Sequence, residues 1–238
     1  MGDYRALMIR LDFMGKSHDS AVADSADTIF GVRAASLAVR IDDVPLVESV
    51  SFEIPSGTAV AVTGANGAGK TTLLRVLAGL MVPTAGSAHV GELPVDERSP
   101  AFRRIVAGHI GHTSFARDLT LDEQLTMVGV SWGADVPHAR ERTAALLDDF
   151  GLTRLRTRFA HELSSGQTQM FSLALAIARP FDVLLLDEPE QRLDKERRSQ
   201  VAGILRGLVA EGTTLIFASH NAKLIDAVSD RTVALTRS

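Results

Sequence analysis

From Val32 onward the apolar positions of this chain follow two rhythms, short strand-like runs and longer stretches with helical spacing. Ala34–Ile41 and Val47–Ile54 predict strands, the second with apolar residues at alternate positions. Pro55-Ser56-Gly57 predicts a turn. Thr58–Thr63 predicts a short apolar strand, followed by a Gly-rich loop and a helix over Lys70–Ala78. Thr84-Ala85-Gly86 predicts another turn, and Ile105–Ile110 another strand. Leu121–Val130 and Pro137–Phe150 carry helical patterns, the second with its proline in the first turn, where a fixed φ suits a helix start. Beyond them come an apolar helix (Gly166–Ala178), a buried strand (Val183–Asp187), a helix (Asp194–Ala210), a second buried strand (Thr213–Ser219) and a short helix (Asn221–Val228). Alternating strands and helices imply an α/β fold with a mostly parallel sheet. The block from about 100 to 165 is mainly helical and interrupts the alternation, which predicts an inserted helical subdomain over about 112–165.

Residues 1–31 break the rhythm. Gly15–Asp27 is rich in Ser, Asp, Ala and Gly, without an apolar period. It reads as a flexible extension, in which Ile9, Leu11 and Phe13 alternate like a short strand able to dock on the main sheet.

Composition narrows the function classes. The 238 residues include no cysteine, which removes disulfides, thiolate metal sites and cysteine nucleophiles. A formal charge of -4 argues against a nucleic-acid partner, for which a basic stripe is expected. The apolar runs Met170–Ala178 and Val183–Leu186 are far shorter than the roughly 20 residues a bilayer core demands. With no signal-like N-terminus, the chain reads as cytosolic.

The strongest chemical signal is Gly64-Ala65-Asn66-Gly67-Ala68-Gly69-Lys70-Thr71, a G-x-x-x-x-G-K-[ST] pattern lying between a predicted strand and a predicted helix. Its glycines let the backbone curl until successive N–H groups point into one concavity that suits phosphate oxygens. The following helix adds its positive N-terminal end. Lys70 supplies a mobile cation for β- and γ-phosphates, and Thr71 a hydroxyl for Mg²⁺. In the run Val183–Glu188, four aliphatics suit a strand buried on both faces, and two acids follow at its C-terminal end, where open α/β sheets bind ligands. Asp187 is placed for the Mg²⁺ shell and Glu188 to polarise a water. Leu163-Ser164-Ser165-Gly166-Gln167 opens a helix; Ser164 is a cap, and the N–H groups behind it offer a second anion site.

With these motifs in this order the chain resembles the nucleotide-binding subunits of ABC transporters, over residues from about 32 to 238. The phosphate loop matches Walker A, and Leu163–Gln167 matches the LSGGQ signature with Ser165 in place of one Gly. Val183–Glu188 matches Walker B with its glutamate, Leu193-Asp194 the end of the D-loop, and His220 the switch histidine. The resemblance implies a P-loop fold of a mostly parallel core sheet, an antiparallel β subdomain and an inserted helical subdomain. It implies ATP and Mg²⁺ as cofactors, and a head-to-tail dimer with a second nucleotide-binding subunit. Gly64, Asn66, Gly67, Ala68, Gly69, Lys70, Thr71 and Thr72 would bind the nucleotide in one chain; Ser164, Ser165, Gly166 and Gln167, with Asp194, would complete the site across the interface. His220 would contact the γ-phosphate and organise Glu188 and water. The implied partner is a transmembrane permease, which would hold the chain on the cytoplasmic face of the membrane. The competing readings are a soluble ABC-type ATPase of an assembly complex and a weakly hydrolysing, degenerate subunit.

Two positions depart from the family pattern. The adenine platform falls near Ile41, with no Tyr, Phe or Trp between Phe30 and Phe52. An aliphatic side chain lacks the π face that favours stacking, so weak base selectivity is expected. The family's glutamine after the Ile105–Ile110 strand is absent from Gly111-His112-Thr113-Ser114-Phe115, and Gln124 lies too far along. His112 or Thr113 takes that position, and the Thr113 hydroxyl is a candidate Mg²⁺ contact or an inert loop group. Phe115 is either an exposed partner contact or packed inside its own subdomain.

Overall fold

The computed structural model describes residues 31–236, and within them two sheets organise the chain. The smaller is antiparallel, in the order β2-β1-β4-β5, from β1 (Val32–Ile41), β2 (Val44–Ile54), β4 (Ala85–Val90) and β5 (Leu93–Pro94). The larger is parallel, in the order β6-β7-β8-β3-β9, from β3 (Ala59–Thr63), β6 (Val106–His109), β7 (Val183–Asp187), β8 (Thr214–Ala218) and β9 (Arg231–Ala234).

The alternation of side chains along a strand places the inner strands of the parallel sheet in two cores at once. On one face Ala59, Ala61, Leu184, Leu186, Leu215 and Phe217 pack with the helices of the 121–178 segment and with α6 (Lys195–Ala210). On the other face Val60, Val62, Val183, Leu185, Ile216 and Ala218 pack with α1 (Lys70–Leu77) and the antiparallel sheet. The continuous apolar runs of the sequence therefore become strands buried on both sides.

Each buried strand ends in polar residues at the same edge. Thr63, His109 and Asp187 close β3, β6 and β7, and Ser219 and His220 follow β8. Parallel pairing in register, with Leu186 opposite His109 and Phe217, sets these ends side by side.

The 121–178 segment contributes α3 (Leu121–Ser131), α4 (Val136–Asp149) and α5 (Ser165–Ile177), each with a side-chain N-cap, from Thr120, Asp135 and Ser164. The buried Arg142 guanidinium donates to the Ile177 carbonyl at 2.7 Å and ties α4 to the end of α5. Just beyond α5, Arg179 lies 4.2 Å from the ring centre of Trp132 and donates to the Val106 carbonyl, so it joins α3 to the edge of the parallel sheet. Burial, with a smaller push from Arg103, lowers the Arg179 guanidinium to about 10, which leaves it charged at neutral pH.

Three strands and one helix escape the sequence reading. The Thr84–Gly86 segment is the entry to β4 rather than a free turn. Gly86, at φ +76°, passes so close to β1 that a Cβ would meet the Ser36 oxygen at 2.2 Å. β5 is only two residues long and the edge strand β9 is short and half polar, which hides their pairing from any periodicity test. Pro100–Ile105 forms a short helix, α2, capped by Ser99. The extension expected over residues 1–31 lies outside the described residues except for Gly31.

Candidate functional site

The phosphate loop runs from the end of β3 to the start of α1. Gly69 is the N-cap of α1, left-handed at φ +89°, and it offers no side chain to the first-turn N–H groups. Such an uncapped helix start suits an anion. A Cβ at Gly69 would meet the Leu46 oxygen at 2.1 Å, and one at Gly64 the Leu235 oxygen at 2.5 Å. The loop is thus clasped between the antiparallel sheet and the end of β9. The Lys70 ammonium is folded into the loop, donating to the Gly64 carbonyl at 2.8 Å and the Ala65 carbonyl at 3.1 Å. A cation held by two neutral carbonyls is free to exchange them for phosphate oxygens at little cost, because those are stronger acceptors.

Beside the loop, the Thr71 hydroxyl donates to Asp187 Oδ2 at 2.8 Å. The next residue, Glu188, turns out of the sheet at φ +47°, with its N–H on the Ala218 carbonyl at 2.9 Å. Its carboxylate is held from both sides. His220 Nδ1 lies 3.2 Å from Oε1, and Gln191 Nε2 donates to Oε2 at 3.0 Å. Gln169, from α5, donates to the Glu188 and Pro189 carbonyls at 3.4 and 3.3 Å. Thr71, Asp187 and Glu188 line one cleft of about 340 Å³ together with His109, Thr113 and Gln169.

The structure thus brings Gly64, Lys70, Thr71, Asp187, Glu188 and His220 together, along with Asn66, Gly67, Ala68 and Thr72 on the same loop and helix start. Thr113 reaches the cleft with its hydroxyl 2.9 Å from His109 Nδ1, and His112 lines the same wall. Burial lowers the His109 imidazole below its ordinary value; the Asp187 carboxylate opposes this and His112 adds to it. Gln124 is buried and braces the loop, accepting from the Ala116 N–H at 3.0 Å and donating to the Leu119 carbonyl at 2.9 Å. Of the two readings of Phe115 the structure takes the packed one: its ring stacks on the fully buried Phe171, with centroids 5.5 Å apart. Ile41 ends β1 beside the tight turn Asp42-Asp43 and is half exposed.

Ser164, Ser165, Gly166 and Gln167 form the start of α5; none of them lines that cleft, which the helix reaches from Thr168 onward. Ser164 and Gln167 cap each other reciprocally, the Ser164 N–H on Gln167 Oε1 at 2.9 Å and the Gln167 N–H on Ser164 Oγ at 3.4 Å. Gly166 sits under Arg197, whose Nη1 a Cβ would meet at 2.7 Å. Asp194 caps α6 through the Arg197 N–H at 2.9 Å. The residues that sequence reasoning missed are Gln191, Gln169 and His109. Only Gln191 carried a signal, its place three residues after Glu188, within reach across one tight turn.

A divalent cation fits the cleft. Among the described residues no group of three or more His, Asp or Glu forms a protein-only cage. One carboxylate and one hydroxyl, Asp187 and Thr71, suit Mg²⁺, which takes most of its ligands from water and phosphate.

Residues 47–191 match the family model described as ABC transporter. The chain belongs to the ABC transporter family. It is 36% identical over 185 residues to the daunorubicin/doxorubicin resistance ATP-binding protein DrrA of Streptomyces peucetius, covering 78% of this chain and 56% of that one. It is 37% identical over 192 residues to the cytochrome c biogenesis ATP-binding export protein CcmA of Pseudomonas putida strain GB-1, covering 80% of this chain and 89% of that one. This ABC-family chain spans only 56% of DrrA and 61% of the sulfate/thiosulfate import protein CysA of Mesorhizobium japonicum. A solved structure of an ATP-binding subunit of an ABC transporter is 25% identical, with a TM-score of 0.77 and coverage of 86% and 85%. The dimeric ATP-binding cassette MJ0796, bound to ADP and Pi after hydrolysis, shares the fold at 20% identity and a TM-score of 0.78, covering 86% of this chain and 94% of that one. The fold is accordingly the P-loop ABC type expected from the motifs. No helix among the described residues is long and apolar enough to cross a membrane.

Proposed function

We propose that this chain binds and hydrolyses ATP as the nucleotide-binding subunit of an ABC transporter, acting as one half of a head-to-tail dimer on a separate transmembrane permease. The observation that carries the reading is the meeting of Lys70, Thr71, Asp187, Glu188 and His220 at one edge of the parallel sheet.

In this reading the loop N–H groups from Gly64 to Thr72 cradle the phosphates, and Lys70 leaves its two carbonyls to pair with the β- and γ-phosphates. Thr71 and Asp187 would hold Mg²⁺, with Thr113 a further candidate contact. When bound, the ion neutralises charge on the phosphate oxygens as the terminal P–O bond breaks. Glu188 accepts a proton from the attacking water, and the bonds from His220 and Gln191 keep its carboxylate aimed. Ser164, Ser165, Gly166, Gln167 and Asp194 of the second subunit complete the site, in keeping with their absence from the lining of the cleft in their own chain. ATP then favours the closed dimer and hydrolysis the open one, a two-state bias the permease converts into alternating access.

The test has two arms. Lys70→Ala should lose ATP binding or turnover. Glu188→Gln should retain ATP and accumulate as a dimer by size-exclusion chromatography, with hydrolysis reduced about 10²- to 10⁴-fold, the usual contribution of a general base. Normal turnover by Glu188→Gln would refute the assignment. Co-purification with a polytopic membrane protein in detergent supports transport; a purely soluble complex supports the assembly-ATPase alternative.

A further inference from the structure

We propose that Glu190 is a positioning residue that sets His220 against the Glu188 carboxylate through Ser219; this rests on the role given to His220 above. Glu190 lies two residues past Glu188 and is only 5% exposed. Its Oε1 accepts the hydrogen of the Ser219 hydroxyl. Ser219, 1% exposed, directly precedes His220, and its oxygen accepts the Asn221 N–H at 3.0 Å. One hydroxyl thus anchors the residues on both sides of His220: its hydrogen goes to Glu190, and a lone pair takes the N–H of Asn221. Asn221 is itself fixed as the N-cap of α7 (Ala222–Val228), accepting from the Leu224 N–H at 3.2 Å.

His220 needs such an anchor. Its side chain is 64% exposed, so packing does not hold the ring, and its orientation must come from the backbone on either side. The other end of the latch is equally fixed. The Gln191 N–H bonds the Glu188 carbonyl at 3.0 Å, and the Leu193 N–H bonds the Glu190 carbonyl at 3.2 Å, so the segment carrying both glutamates is one compact turn. The Glu190–Ser219 bond therefore joins the turn that presents Glu188 to the turn that presents His220, and spans the contact between them. Glu190 Oε2 has no hydrogen-bond partner among the described residues. Burying a carboxyl with one oxygen unsatisfied is unfavourable, which makes it a poor choice for mere filling.

The experiment measures ATP turnover by the full chain for Glu190→Ala, Ser219→Ala and Glu190→Gln, alone and in a His220→Ala background. Glu190→Ala should lower kcat about 10-fold and Ser219→Ala about 5-fold, with KM for ATP unchanged, as expected when only groups acting on the transition state are disturbed. Glu190→Gln, which can still bond the Ser219 hydroxyl, should recover most of the loss. In the His220→Ala background neither alanine should lower the rate further, because the latch acts through His220. Should Glu190→Ala fail to fold, Ser219→Ala, which removes one oxygen, carries the test. Independent, multiplicative losses in the His220→Ala background would overturn the inference, as would a raised KM with kcat intact. Unchanged turnover by His220→Ala alone would overturn the reading on which it rests and the inference with it; a slow His220→Ala beside fully active latch variants would overturn the inference alone.

Discussion

Gly69 and Gly67 offer a controlled test of how the phosphate loop is held. Both have left-handed backbones, at φ +89° and +81°. Alanine at either site incurs the left-handed penalty of about 1–2 kcal/mol. It also gains about 0.4–1 kcal/mol by stiffening the unfolded chain. The sites differ in what a Cβ meets. At Gly67 nothing lies within 4 Å, whereas at Gly69 the Leu46 oxygen lies at 2.1 Å and Val47 Cγ2 at 2.8 Å. That oxygen belongs to β2, which is paired with β1 through Arg40↔Pro45 and Val39↔Val47, so it cannot yield without moving a hairpin. Overpacking of this kind costs about 1–3 kcal/mol. Gly69→Ala should therefore be less stable than Gly67→Ala by that amount. With a urea m-value of about 2 kcal/mol/M, the gap is a midpoint difference of roughly 0.5–1.5 M. Urea unfolding followed by far-UV circular dichroism reads it directly. Equal midpoints for the two variants would refute the claim that β2 clasps the loop.

Ile41→Tyr should restore an adenine platform and raise the preference for ATP over GTP, by up to about 5-fold if the added stacking is worth about 1 kcal/mol; competition binding with labelled ATP checks it. Thr113→Ala should slow Mg²⁺-dependent hydrolysis several-fold if the hydroxyl serves the cleft, and unchanged turnover across an Mg²⁺ titration would remove it from the mechanism. The Asp230 carboxyl is held below its ordinary value, first by the Ala59 N–H at 2.8 Å and then by Arg206. A depressed carboxyl stabilises above the unfolded pKa of about 4, and the gain is lost as pH falls through the lower folded value. Because Asp230 is partly exposed, the screened gain is about 0.5–1 kcal/mol. Asp230→Asn should therefore melt below the parent at pH 7 and converge with it near pH 3, and a gap that widened in acid would contradict the sign.

How much was legible depended on how local the cause was. The run Val183–Asp187 announced a buried strand, and the structure returns those bounds, because four aliphatics followed by acids carry the signal within five residues. The start of α1 was legible because Lys70 follows a glycine that must be left-handed. By contrast β4 was hidden, since its Gly86 is required by the close approach of Ser36, about fifty residues earlier in the chain. Gln124 shows the same limit: its sequence distance removed it from the site, yet only the fold reveals it as the brace of the preceding loop.

By itself, then, the sequence determined the class of fold and the chemical parts of the site, because spacing within a strand, loop or helix start dictates what those few residues can bind. Only the tertiary structure decided which of the parts act together. Parallel register brought His220 to Glu188 and Thr71 to Asp187, and long-range contacts supplied Gln169 and the Ser219–Glu190 latch. The same geometry left the Ser164 helix start outside the cleft of its own chain. Such pairings depend on strand order, and strand order is settled by how the two apolar cores close on either face of the sheet, which no local pattern of residues records.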